Sequence, residues 1–362
     1  MKKKTLLFLC LTAAALCVAG LTASLYSRYF PTYRLSDDGK VFLKYNGKRS
    51  KFVVPEEVET IDAYAFKDCE SLKTVVLPKT LKTIETRAFS CCTALESIDI
   101  PEGVKEIEAC AFENCFSLKT LSIPQSVEKI GLSAFDGCLY MTSINVAEKN
   151  ERYRSIDGVL FSKDGKTLVR YPAYLANERY VVPEGVETID YHAFQYCSAL
   201  KSVVLPESLN EVGLCAFDYC TSLSEVALPN GVRRIGHCAF HRCINLTSIV
   251  LPDGVEEIGG SAFSECNLTQ IVLPDSVVGV GENAFDHCTC LESIVVPNGV
   301  TEIKKSTFWG DDALQTVVLP ESVERIEDNA FAYCNSLTIR APKGSYAEQY
   351  ALENDIPFEP IE

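Results

Sequence analysis

Histidine and tryptophan are scarce in this chain, with four and one in 362 residues. His192, His237, His241 and His287 are scattered through different copies of one repeated segment. No Cys-x-x-Cys pair, no histidine at ligand spacing, no His-Glu-x-x-His stretch and no glycine-rich phosphate loop occurs. A nucleophilic triad needs an oriented base and a nucleophile converging in a pocket. Nothing in the sequence assembles one, so neither catalysis, nor a metal, nor a cofactor is expected. Positive charge is also in deficit: 34 Lys and Arg face 49 Asp and Glu, for a formal charge of −15. Such a surface repels nucleic acid and anionic lipid, which excludes both as partners. The acidity serves solubility, or draws a weakly basic target.

Long apolar runs are missing except at the start, where Met1-Lys2-Lys3-Lys4 precedes an apolar stretch from Leu6 to about Gly20. A basic start and an apolar middle read as a secretory signal, with cleavage after Ala19, Gly20 or Ala23. Read as far as Tyr26, the stretch approaches the length of an uncleaved anchor. A lipid-modified Cys17 is the third reading, disfavoured by Leu16 before it. All three export the body, and the membrane is expected to be touched only through this segment if it stays uncleaved. No cell-wall sorting motif or apolar C-terminal tail is visible, so attachment to a cell is expected to rest on the N-terminus.

Apolar residues nevertheless make up 47% of the chain, and they are periodic. Pro55, Pro78, Pro101 and Pro124, then Pro183, Pro206, Pro229, Pro252, Pro274, Pro297 and Pro320, mark about eleven units of mostly 23 residues. Each reads Pro-x-x-Val-x-x-Ile-x-x-x-Ala-Phe-x-x-Cys-x-x-Leu-x-x-Ile-x-Leu, as in Pro206, Leu209, Val212, Ala216, Phe217, Cys220, Leu223, Val226 and Leu228. So few apolar side chains cannot bury themselves within one unit, so coils must stack. Stacking predicts one phenylalanine ladder over Phe66, Phe89, Phe112 and Phe135 and another from Phe194 to Phe331. Leu-x-x-Ile-x-Leu alternates as a strand, and the next proline, lacking an N–H, ends it. Ala-Phe-x-x-Cys leaves room for one short helical turn on the opposite side.

The fold class expected is therefore a mainly β leucine-rich-type solenoid, with a parallel β-sheet on the concave face and short helical turns opposite. A β-hairpin cap begins it and a short helical cap ends it. The organisation expected is a leader over 1–26, a linker and N-terminal cap over 27–54, repeats 1–4 over 55–146, a long unit with a hairpin over 147–182, repeats 5–11 over 183–341, and a C-terminal cap over 342–362. The hairpins rest on Asp38-Gly39 and Asn46-Gly47 in the first cap and on Asp164-Gly165 in the long unit.

The repeat unit resembles the BspA-like (Treponema pallidum-type) leucine-rich repeat family over about Val54 to Ala341, and Ala341-Pro342-Lys343-Gly344-Ser345-Tyr346-Ala347 resembles that family's usual ending. The resemblance implies a bacterial cell-surface or secreted protein that adheres to host or microbial surface macromolecules. Departures are Thr307 for Ala, Asp311 for Cys, Met141 for Leu, and one residue fewer between Cys266 and Leu268; a locally distorted coil is expected there, with Trp309 on its core or rim.

Of 17 cysteines, ten share one phase: Cys69, Cys92, Cys115, Cys138, Cys197, Cys220, Cys243, Cys266, Cys288 and Cys334. A phase alternating with buried Ala, Phe and Leu is a slot for a small apolar side chain, so reduced structural thiols are expected. Cys110, Cys215 and Cys238 hold a second phase, and Cys215 with Cys238, in adjacent coils, is the best candidate for a bridge. Cys91 and Cys290 lie outside both.

Outward strand positions form two columns on the expected concave face. One runs through Ser202, Glu225, Ser248, Gln270, Ser293 and Thr316; the other runs through Val204, Ala227, Val250, Val272, Val295 and Val318. The apolar column is a candidate binding face, weighed against plain β-propensity of valine on a sheet. A protein or surface glycoconjugate ligand of a monomeric adhesion protein is the function expected; a thiol-rich redox or metal-sequestering surface protein is the alternative.

Overall fold

The computed structural model describes residues 32–362; the leader expected over 1–26 lies outside them. The coils stack as the periodicity requires. Phe66, Phe89, Phe112 and Phe135 lie ring on ring at 4.8, 5.3 and 6.1 Å. From Phe194 to Phe331 the successive rings lie at 4.8 to 5.6 Å, their planes within 11° of one another. The leucine-rich solenoid and its parallel sheets are as expected, and each coil adds a second strand that periodicity alone did not single out. Strands such as Ser202–Val204, Glu225–Ala227 and Ser248–Val250 pair in parallel as one sheet. Two-residue strands such as Glu211–Val212, Arg234–Ile235 and Glu257–Ile258 pair as another. The outward side of this second sheet is a charge ladder: Lys40–Glu59–Lys82, Lys105–Glu128 and Arg234–Glu257 are ion pairs between neighbouring coils.

Across the coil from the three-residue strands, the turn around each Ala-Phe is a run of linked i→i+3 turns, and the chain's one described α-helix is Tyr346–Glu353 near the end. Alternate N–H groups have different destinations. Ala88 N–H donates to Glu85 O and Ser90 N–H to Arg87 O, closing turns, whereas Arg87, Phe89 and Cys91 N–H reach Ala109, Ala111 and Glu113 O of the next coil. That alternation satisfies every amide in the segment, and it requires left-handed backbone two residues before and two after each phenylalanine, as at Arg87 (φ 56°) and Cys91 (φ 59°). A left-handed non-glycine residue costs about 1–2 kcal/mol; the inter-coil ladder offsets it.

The shared cysteine phase is more than an apolar slot. Cys92, Cys115, Cys220, Cys243, Cys266 and Cys288 each point the thiol at a phenylalanine carbonyl of the preceding coil, with Sγ···O of 3.0 to 3.2 Å. Burial pushes the Cys138 and Cys266 thiols up to about 12, so they stay protonated donors. The coil expected to be distorted is regular: Phe308 stacks on both neighbours, Thr307 Oγ1 donates to Lys304 O at 2.8 Å, and buried Asp311 occupies the cysteine slot. Trp309 is a half-buried rim residue, edge-on to His287 and Tyr333. Both sheets instead break one coil after the missing residue, between Gln270–Val272 and Ser293–Val295 and between Gly279–Val280 and Glu302–Ile303.

The first cap is built twice. Tyr33–Leu35 and Val41–Tyr45 form an antiparallel hairpin whose second strand pairs in parallel with Thr60–Ile61. In the long unit, Val159–Ser162 and Thr167–Arg170 form a hairpin whose second strand pairs in parallel with Thr188–Ile189. The turns match atom for atom. Ser36 Oγ donates to Asp38 Oδ1 at 2.6 Å and accepts from Val41 N–H, as Ser162 Oγ does with Asp164 and Thr167 N–H. Gly39 and Gly165 supply the positive φ, 74° and 78°. Tyr45 and Tyr171 then cover Phe66 and Phe194, the first phenylalanine of each ladder. The buried residues correspondingly form two clusters meeting at one strand, where Leu160 belongs to the first and Val159 and Phe161 to the second. At the far end, Ser345 caps the helix by accepting from Glu348 N–H, Ala347 and Ala351 are buried, and Phe358–Ile361 adds a parallel strand beside Thr338–Pro342.

Candidate interaction face

Strands with the burial order exposed–buried–exposed aim every second side chain out of the stack. Val203, Val226, Ile249, Ile271, Ile294 and Val317 point inward and are buried. Outward stand Val204, Ala227, Val250, Val272 and Val295, with Val250 and Val272 each 78% exposed and Val295 60%. Register makes them one row: Val204 pairs with Ala227, Ala227 with Val250, and Val250 with Val272. Val295 pairs with Val318 beyond the sheet break, and Val318 is half-buried beside its in-register neighbour Arg340. Val181, exposed and paired with Val204, extends the row one coil further. It lies in the long unit, outside the proline-phased copies, though Tyr180-Val181-Val182-Pro183 repeats the strand ending.

The companion column comes together as well. Ser248, Gln270 and Ser293 are exposed, and Ser202 and Thr316 are half-buried. Thr316 with Gln315, Asp312, Ser336 and Thr338 lines a shallow depression of about 480 Å³ at the end of this column. The face therefore offers a flat apolar row flanked by hydroxyls and the Gln270 amide, with exposed Arg179 and Glu225 in register on either side of Ser202.

Polar chemistry elsewhere is organised around buried acids that the sequence reading did not single out. Ser133 Oγ lies 2.9 Å from Nδ1 of His192, and Asp136 Oδ2 meets the same nitrogen, with buried Arg170 on the other carboxylate oxygen at 3.2 Å. A nucleophile relay needs hydroxyl and carboxylate on opposite ring nitrogens; here they share one, so the cluster is a clamp between the two halves. Asp218 likewise holds His241 Nδ1 at 2.7 Å and Gln195 Nε2 at 2.9 Å. Burial opposes charge on His241, yet its hydrogen bond and attraction to Asp218 raise it overall. The sequence signal for these clusters was an acid directly after Phe135 and Phe217, a placement also seen after Phe112 and Phe285. Among the described residues, no group of three His, Cys, Asp or Glu is placed to hold a metal, and no helix is long and apolar enough to cross a membrane.

Comparison with known proteins gives this architecture its class. The sequence profile of the BspA type leucine-rich repeat region matches in six copies, over residues 39–164, 174–230 and 210–338. The chain belongs to that family. It is similar in structure to the pneumococcal vaccine antigen PcpA, with a TM-score of 0.61 and 21% identity, over 91% of this chain and 82% of that one. It is also similar to a leucine-rich repeat protein from Eubacterium ventriosum, with a TM-score of 0.72 and 23% identity, over 83% and 91% of the two chains. At these identities the likeness is one of fold. No curated protein matches the chain.

Proposed function

We propose that this chain is an exported bacterial surface or secreted protein that binds a protein or surface glycoconjugate through the sheet face bearing Val181, Val204, Ala227, Val250, Val272 and Val295. The observation that carries the reading is the exposed row itself: Val250 and Val272 stand 78% exposed in register on a rigid sheet. Contiguous apolar surface rimmed by polar side chains marks interaction sites, and parallel-strand solenoids present such rows without a conformational cost on binding. The lysine-led apolar leader at 2–20 supports export. Membership of a leucine-rich repeat family supports a binding role over catalysis.

The test is the triple substitution Val250→Asp, Val272→Asp and Val295→Asp, read against binding to host matrix and bacterial surface preparations. Each valine buried on binding contributes roughly 1.5 kcal/mol, so losing three weakens affinity at least about a hundred-fold. All three point away from the core, so the fold is kept, with a modest drop in thermal midpoint from in-register aspartates on strands. Unchanged binding by the folded triple variant refutes the reading. The alternative of a metal-sequestering thiol protein is weakened by the ladder thiols, eight of the ten being buried and those such as Cys266 protonated and committed to backbone carbonyls.

A further inference from the structure

Cys215 and Cys238 behave differently from the ladder thiols. Both sit two residues before a phenylalanine, in left-handed backbone with φ of 52° and 54°, on the turn side of adjacent coils. Those coils superpose closely: Val212 pairs with Ile235, the Phe217 and Phe240 rings are parallel to within 1°, and Cys215 N–H donates to His237 O at 2.8 Å. Side chains at equal phase therefore stand about one inter-coil spacing, about 4.8 Å, apart. Both are half-buried, so solvent-borne reagents reach them. The flanking coils carry His192 and Ser261 at this phase, and Cys110 has Arg87 and Ser133 as neighbours. Cys215 and Cys238 are thus the one adjacent cysteine pair of this phase.

We infer that Cys215 and Cys238 form a reversible thiol–disulfide exchange site on the turn face, with Cys238 as the attacking sulfur and Cys215 as the resolving one. The two thiols are not equivalent. Cys238 stands between His237 and His241, and His241 N–H closes a turn on Cys238 O at 3.2 Å; the facing Cys215 thiol pulls Cys238 down against the opposing effect of burial, and the two histidines assist. The same pairing, with burial, pushes Cys215 up. The oxidant is a small-molecule or protein disulfide. The Cys238 thiolate attacks one sulfur of that disulfide and displaces a thiolate, leaving a mixed disulfide. Cys215, losing its proton, attacks the Cys238 sulfur and displaces the second thiolate. Two protons end on the leaving thiolates; the protein dithiol is oxidised and the external disulfide is reduced to two thiols.

Geometry makes the product labile. In-register parallel side chains keep their Cβ atoms about one coil apart, wider than the roughly 3.8 Å a relaxed bridge prefers. Strained bridges have more oxidising potentials and are readily reduced again. The site is therefore a redox-responsive staple across two coils and not a permanent structural bond. It is independent of the apolar face.

The test is incubation of the reduced, folded full chain with oxidised glutathione, followed by alkylation and peptide mapping. The expected product links Cys215 to Cys238, and the fully buried ladder thiols, from Cys92 to Cys288, stay free until denaturant is added. Cys215→Ser is expected to trap glutathione on Cys238, and Cys238→Ser to leave position 215 modified at least ten-fold more slowly. Both variants keep the fold, judged by circular dichroism. Capture first at Cys91, Cys290 or Cys215, or no cross-link in the native protein, overturns the inference.

Discussion

Asp311 is the one acid in the cysteine slot, and replacing it by asparagine should stabilise the protein in a way that depends on pH. Its carboxyl is fully buried, Oδ1 accepts from Cys288 N–H at 2.7 Å, and Oδ2 has no partner. In the coils on either side, Cys288 and Cys334 donate to Phe263 and Phe308 carbonyls; the corresponding acceptor for Asp311 is Phe285 O, which an ionised oxygen would repel. Burial, with Asp286 adding to it and the Cys288 amide opposing it, lifts Asp311 to about 9. An unfolded aspartate titrates near 3.9. The folded form is therefore stabilised by the proton: the contribution is complete below about pH 4 and drains away as pH rises toward 9. At pH 7 the cost of keeping that proton is about 4 kcal/mol as a ceiling, from roughly 1.4 kcal/mol per pH unit. An asparagine in this slot would keep the shape, accept from Cys288 N–H, and offer an N–H toward Phe285 O without titrating. Hydrogen exchange of the amides around Phe285 and Phe308 measures the local effect, which a global melt of a quasi-one-dimensional fold blurs. Asp311→Asn and wild type should match at pH 4 and diverge by about 2–4 kcal/mol at pH 7. Asp311→Cys, which restores the ladder donor, should behave similarly. A difference that is the same at pH 4 and pH 7 would refute a buried neutral acid.

Two further outcomes follow from the duplicated cap. A fragment covering 151–362 should fold alone, because Tyr171 and the hairpin at Val159–Arg170 already close its first coil; a fragment of 32–146 should aggregate, having lost the cover over Phe135. Circular dichroism with sedimentation distinguishes these, and an unfolded 151–362 fragment would show that the second cap depends on the first array. At the junction, burial works against charge on Asp136, but the hydrogen bond from His192, the Arg170 guanidinium and the Ser133 hydroxyl hold it below the usual carboxylate range. Stability from this acid is then present above an ordinary aspartate pKa and lost as pH falls through its depressed value. Asp136→Ala should cost about 3–5 kcal/mol, since it strands a buried arginine; a loss under about 1 kcal/mol in junction-amide exchange would contradict the clamp.

What could be read from residues alone follows from how strongly each feature repeats. Phenylalanine, proline and cysteine recur once per coil because each occupies a site that stacking makes identical, so the core ladder was legible down to single residues. The second strand was not, since two residues such as Thr83–Ile84 are too short for alternation to register. The left-handed turns were hidden for a different reason. Tyr64, Arg87, His192 and Cys215 all adopt positive φ, where propensity would ask for glycine or asparagine. The inter-coil amide ladder overrides that preference, so the side chain at those positions is free to vary. That freedom bears on function. The turn face tolerates many side chains because the inter-coil ladder offsets their left-handed cost, and it is where Tyr196, Tyr219, Arg242 and the Cys215–Cys238 pair gather. On the opposite strand face, an outward residue must only suit a sheet, and Asp99, Ser122 and Asn145 show that polar residues suit it in the first array, beyond exposed Val53 and Val76 at its start. The change to valine across the second array is therefore not imposed by folding. A strand face that tolerates serine in the first array and exposes Val250, Val272 and Val295 in the second is carrying a cost in solubility, and a bound partner is the reading that accounts for it.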